Sequence, residues 1–194
     1  MLDQALRAAD ADARQRFDEA LAYLPRRSAP GSGGAETDTE RLQWVLAHPE
    51  HLDLVAVAQL RENIQDLDER YERAASTSLL ARAGQHHTQI LYLSGHYRTG
   101  RIRRELTTGR AESAILMGQL VWDASLRRDH TTAAAYFDQA IEAAEQVGDT
   151  VTVANAHLRK SYIALYGHKD PVAGMHLVSR DADRFIRPCA HEGV

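Results

Sequence analysis

The chain opens with apolar residues Leu2, Leu6, Ala9, Ala13, Phe17, Leu21 and Leu24 set three or four apart, the interval at which side chains line up on one face of a helix. This predicts an N-terminal amphipathic helix over 1–24. The pattern breaks at "PRRSAPGSGGAETD", where prolines and glycines crowd together and predict a flexible linker over 25–39. The periodicity returns in "TERLQWVLAHPEH", a short helix stopped by Pro49. From Leu52 to Ala75, Val57, Leu60, Ile64, Leu67 and Tyr71 alternate three and four apart, the seam of a long helix packed along its length. A further helix is predicted over roughly Ser78 to Tyr97, followed by an arginine-rich turn. The next run, "AESAILMGQLVWDASL", is apolar nearly all the way round, so it is predicted to be central and buried. Nowhere does the two-residue alternation of a strand replace the helical period, and the predicted fold class is all-α.

The stretch "RRDHTTAAAYFDQAIEAAEQVGDT" explains what so much alanine is for. Alanine is the best helix former and carries little bulk, so a helix built from it packs close to its neighbours. Ala133, Phe137 and Ala140 follow the spacing A-x3-F-x2-A, and Leu120 stands where the first helix of a tetratricopeptide hairpin carries its leucine. A second hairpin follows. Its first helix is "GDTVTVANAHLRKSYIALYG" and its second is "KDPVAGMHLVSRDADRF", with Ala173 and Leu177 at the small and large positions. Asp170 before Pro171 is a helix start, because aspartate caps free amides and proline suits the first turn. The interval from Ala133 to Ala173 exceeds the ideal period of about 34 residues, so the repeat is degenerate. The expected organisation is one helical domain over 40–194, with tetratricopeptide-like hairpins at about 110–182 nesting into an α-solenoid.

Composition narrows the partners. With 44% apolar and 26% charged residues in a chain of 194, the balance is that of a soluble globular domain. A net charge of −4 and the lack of a long apolar run argue against a bulk-charge grip on nucleic acid and against a membrane span. No basic-then-apolar leader opens the chain. The single cysteine, Cys189, excludes an internal disulfide and suits a reducing interior, so a cytoplasmic location is expected.

The segments "GQLVWDASLRRDHTTAAAYFDQAIEAAEQVGDTVTVANAHLRKSYIALYGHKDPVAGMHLV" and "LDLVAVAQLRENIQDLDERYERAASTSLLARAGQHHTQILYL" together resemble the C-terminal tetratricopeptide-like region of actinobacterial transcriptional regulators that carry an XRE-type helix-turn-helix. The resemblance spans roughly Leu52 to Val178. It implies a ligand-sensing or protein-interaction module that binds a peptide, a small signal or a partner protein in a helical groove. Residues 1–51 read as a helix, a linker and a short helix rather than a helix-turn-helix, so direct DNA binding by this segment is not expected. A stand-alone tetratricopeptide adaptor without DNA binding is the alternative.

Reactive chemistry is scarce. "GSGG" precedes no lysine-serine pair of a phosphate loop, and no G-x-S-x-G elbow is present, so neither an enzyme nor a cofactor is expected. Ten histidines invite a metal reading. Neither His86 nor His87 stands three or four residues from His96, however, and Pro49 separates His48 from His51. No metal site is expected, and His87 reads as a core histidine on the row of Leu80, Ala83 and Leu91. Arg101, Arg103 and Arg104, within a cluster that also includes Arg98 and Arg110, are candidate phosphate contacts. Trp122 on one first helix, with Asn155 and Arg159 one turn apart on the next, are the candidate groove residues. With only two recognisable hairpins the groove is short, and either the preceding helices or a second copy would complete it. A homodimer through the Val57 to Tyr71 seam is the favoured expectation, and the same seam as intramolecular core is the alternative.

Overall fold

The computed structural model describes residues 32–186, with side chains over 40–179; the helix expected over 1–24 lies outside the described residues. All regular elements described are helical: α1 (Ser32–Ala47), a 3-10 turn (Pro49–His51), α2 (Leu54–Tyr71), α3 (Ser76–His96), α4 (Gly100–Ala124), α5 (His130–Val147), α6 (Thr150–Tyr162) running into a π-helical turn (Ile163–Gly167), and α7 (Pro171–Ile186). No described helix is long and apolar enough to cross a membrane.

Two boundaries differ from the sequence pattern. Residues 32–39, read as the end of a linker, belong to α1. The helix-forming run that follows carries the backbone through Gly33 and Gly34, each costing about 1 kcal/mol relative to alanine. The arginine-rich segment is no turn either, because Arg101, Arg103 and Arg104 lie inside α4. Thr99 stands before α4 without a side-chain capping bond, and the first residue of the helix, Gly100, takes φ 86.

Aspartates set the later helix starts. Asp53 accepts from Ala56 N at 2.9 Å, Asp129 from Thr132 N at 3.0 Å and Asp149 from Thr152 N at 3.0 Å. Asp170 accepts from Val172 N and Ala173 N. Each satisfies amides that the first helical turn leaves free. Gly148 ends α5 at φ 72, a left-handed backbone that glycine adopts without steric cost.

Consecutive helices from α2 to α7 pack as neighbours, and α2 also touches α4, and α4 touches α6. The helix α4 sits between two cores and is buried almost continuously from Ala111 to Leu120. Its Leu106, Leu116, Met117 and Leu120 join the large aliphatics of α2 and α3. On the other side Ala114 and Ile115 meet Ala133, Phe137 and Ala140 of α5, with Ala156 and Ile163 beyond. Phe137 is 2% exposed and lies over Gly118, where an added Cβ would stand 2.7 Å from the ring. In α7 the small residue at the interface is Gly174 instead of Ala173: a Cβ on it would stand 3.3 Å from the Ser161 carbonyl oxygen. The close approach of α6 and α7 selects the residue with no side chain.

The Val57 to Tyr71 seam is intramolecular core, which corrects its assignment as a dimer contact. Val57, Leu60, Ile64 and Leu67 are buried inside the chain against α3 and α4, so they offer no surface to a second copy. Arg61 reinforces the α2–α4 contact with a bidentate pair to Glu112 at 2.6 and 2.9 Å and a bond to Glu105 at 2.9 Å.

Candidate functional site

The C-terminal end of α4 turns Gln119, Trp122 and Asp123 toward the space between α2 and α6. There they line a cavity of about 530 Å³ together with Tyr71 of α2, Arg127, Phe137 of α5, Arg159 and Tyr162 of α6, and Tyr166 of the π-helical turn. Its volume falls within the roughly 300–1,000 Å³ typical of small-molecule sites. Of the groove residues expected from sequence, Trp122 and Arg159 face this one cavity. Asn155 is exposed beside it, and its Oδ1 accepts from Arg159 Nε at 3.4 Å.

Arg159 is half-buried and held from two sides. With the Gln119 amide turned so that its oxygen faces the guanidinium, that oxygen accepts from Nη1 at 2.7 Å and Nη2 at 3.1 Å, an orientation assigned from the hydrogen-bond pattern. Tyr71 donates its phenolic hydrogen to Asp123 Oδ2. Burial first, then this bond and the charge of Asp123, push the Tyr71 pKa well up, so the phenol stays protonated. Arg127 reaches the cavity from a turn in which Leu126 and Arg127 adopt φ 53 and φ 62, a left-handed backbone costing side-chain-bearing residues about 1–2 kcal/mol each. The Arg127 amide donates to the Trp122 carbonyl at 2.8 Å.

The Trp122 ring packs on His130 at 5.2 Å, and His130 meets His168 edge-on at 4.7 Å. Gly167 closes that side, where a Cβ would stand 2.8 Å from Trp122 Cη2 and 3.0 Å from His130 Cε1. A glycine there lets the π-helical turn lie against the indole. Tyr162 and Tyr166, with ring centres 6.1 Å apart, also line the cavity. The cavity thus combines a forked cation, a fixed carboxylate and flat apolar walls, a set of groups suited to recognition.

Of the arginines expected to contact phosphate, Arg103 and Arg104 also bond within the chain. Arg103 donates to the Ser94 and Tyr97 carbonyls at 3.3 and 3.4 Å, and Arg104 donates to the Val147 carbonyl at 3.1 Å. They tie α4 to the C-terminal ends of α3 and α5, where cations favour the free carbonyls. Both border a cavity of about 220 Å³ with Gln146 and Val147, whereas Arg101 is exposed. Arg110 lies 3.5 Å from Glu142. Among the described residues no group of three or more His, Cys, Asp or Glu side chains is placed to hold a metal ion. His87 is buried with Nδ1 2.9 Å from Ser113 Oγ, and burial, followed by Arg110, holds its pKa below the ordinary value. Leu91, expected on its row, faces outward; Ala83 and Ile90 are its buried neighbours on α3.

Sequence reasoning missed Tyr71, Gln119, Asp123, Arg127, Tyr162 and Tyr166. Tyr162 and Tyr166 carried a usable signal, an i,i+4 aromatic pair directly after Arg159. The Tyr71–Asp123 pair, distant in sequence, carried none. No family profile matches the chain, and comparison with curated proteins and with solved structures gives no match.

Proposed function

We propose that this chain is a non-enzymatic helical module whose cavity between α2, α4 and α6 binds a peptide, a small signal or a segment of a partner protein. Its role is the ligand-sensing or protein-interaction part of a transcriptional regulator. The observation that carries the reading is the meeting of Trp122 and Arg159, from two helices that are not consecutive, on one cavity of about 530 Å³. In this reading α2–α3, α4–α5 and α6–α7 are three tetratricopeptide-like hairpins whose first helices form the groove, and the preceding helices supply the third hairpin that two recognisable repeats lacked. Occupancy changes how these first helices sit, and that change is passed to whatever the module is joined to.

Thermal-shift screening of small molecules and short peptides against the wild type and Trp122→Ala tests this. A ligand at a hundred times its Kd stabilises the fold by about 2.7 kcal/mol, so hits should raise the wild-type Tm and lose that effect in the variant. Hits that stabilise both proteins equally place binding elsewhere and remove the reading.

An adaptor role without DNA binding is the second reading, and one observation favours it: the outer face of α7 exposes Val172, Met175 and Val178, with Met175 71% exposed, and exposed apolar patches mark contact surfaces. Under this reading Met175→Asp abolishes partner capture and Trp122→Ala leaves it intact.

A further inference from the structure

Resting on the cavity reading above, we infer that the cavity takes an uncharged aromatic ring, carried by a small molecule or by a peptide side chain. The first ground is that the charges at the cavity are balanced within the chain. Both edges of the Arg159 guanidinium are taken, the Nη pair by the Gln119 oxygen and Nε by Asn155 Oδ1. The Asp68 carboxylate of α2 acts on the same guanidinium. Asp123 accepts from the Tyr71 hydroxyl, and the charge of Arg127 acts on that phenol. Two guanidiniums are thus matched by two carboxylates, with no surplus of either sign. A charged ligand would give up its hydration without gaining a free counter-charge among the described residues, and an unpaired charge taken out of water is costly. An uncharged ligand meets no such cost.

The composition of the lining is the second ground. Aromatic residues make up 6% of the chain but five of the nine residues that line the cavity: Tyr71, Trp122, Phe137, Tyr162 and Tyr166. Phe137 is 2% exposed, whereas Tyr162 and Tyr166 are 41% and 62% exposed. Core packing accounts for the first ring and not for the other two. Large apolar groups left in solvent beside one another mark contact surfaces. An aromatic ligand gains from offset or edge-to-face contact with each ring it touches, beyond the area it buries, because the ring quadrupoles attract in those arrangements. An aliphatic group of equal size lacks that gain.

The test uses probes of matched size on the full chain at neutral pH. Benzamide is uncharged and aromatic, benzoate is its anionic counterpart, benzylamine is cationic under these conditions, and cyclohexanecarboxamide is uncharged but not aromatic. The chain has two tryptophans. Trp44 stacks on His48 and His51 and does not line the cavity, so a Trp44→Phe background makes Trp122 the only reporter. Benzamide is expected to shift Trp122 emission with a Kd on the order of tenfold below those of benzoate and benzylamine. Cyclohexanecarboxamide should bind more weakly than benzamide. Asp123→Asn, which leaves the guanidiniums in excess, should bring benzoate level with benzamide and weaken benzylamine further. If that variant melts early by circular dichroism, Tyr71→Phe carries the test: it keeps the ring, frees the Asp123 carboxylate and should favour benzylamine over benzoate. N-acetylphenylalaninamide presents a ring on a peptide backbone; tighter binding than benzamide assigns the ring to a peptide, and weaker binding assigns it to a small molecule. Benzoate or benzylamine binding as tightly as benzamide overturns the uncharged assignment, and cyclohexanecarboxamide binding as tightly overturns the aromatic one, while in both cases the cavity reading stands. No response of Trp122 to any probe overturns the inference, and the cavity reading itself falls only if the thermal-shift screen also finds nothing that depends on Trp122.

Discussion

The two cores on either side of α4 are built from different material. Toward α2 and α3 the interior is leucine, isoleucine and valine, among them Leu60, Leu67, Ile90, Leu93 and Leu120. Toward α5 and α6 it is alanine, with Phe137 as the large ring. Leucines interdigitate and tolerate exchange of one branched side chain for another of similar volume. Alanine faces bring backbones close, leaving little room to move. The alanine side therefore depends on one ring fitted against one glycine, and the leucine side spreads its stability over many side chains.

Phe137→Ala should expose that dependence most strongly, at about 3–5 kcal/mol, because the alanines around it cannot collapse into the space. Tyr136→Ala is the control. Tyr136 is half-buried, packing on the leucine core and edge-on to His87 at 5.5 Å, and its loss should be smaller. Urea denaturation of both measures the difference, and equal losses would show that the alanine side is no more dependent on its ring than the leucine side is on a peripheral one.

The next effect is smaller and has opposite signs in the two cores. Gly118→Ala puts a Cβ 2.7 Å from the Phe137 ring, and overpacking of that kind costs about 1–3 kcal/mol, more than the gain of about 1 kcal/mol in helix propensity. Gly84→Ala on α3 meets only Met117 Cε at 3.8 Å, an ordinary contact, so the propensity gain should show as a higher Tm. A stabilised Gly118→Ala would mean that the ring has room to shift.

The smallest effect belongs to the caps, where Asp149→Ala should cost about 1 kcal/mol. The bond from the Thr152 amide, then that from its hydroxyl, holds the Asp149 pKa below the ordinary 3.8. A depressed carboxylate pKa means that the folded state gives up the proton more readily than the unfolded chain. The stabilisation is complete above the unfolded pKa and is lost as pH falls through the folded one. Melting curves taken from pH 7 downward should draw together for wild type and Asp149→Ala as pH falls through the folded pKa, and curves that stay parallel would remove the cap from the account.

Much of this was legible in the chain. The three- and four-residue spacing of Val57, Leu60, Ile64 and Leu67 marked α2, the A-x3-F-x2-A row marked the buried face of α5, and Asp170 before Pro171 marked the start of α7. These signals are local, because a helix repeats its own period whatever it packs against. Trp122 and Arg159 were also readable as candidates, since a repeat pattern says which helices share a side.

What the sequence determined, then, is the set of helices and the stripe each one buries. The tertiary structure decided which stripe meets which. It placed the α2 seam inside the chain, deciding between a second copy and an intramolecular core, and set Arg103 and Arg104 against helix-end carbonyls. It also brought Tyr71 to Asp123 across 52 residues and set Gln119 against Arg159. Periodicity fixes a direction around one helix axis; the distance between side chains on different helices depends on how closely those helices approach. Here that approach is set by residues with little or no side chain, Gly118, Gly167 and Gly174, whose effect lies in what their neighbours are allowed to do.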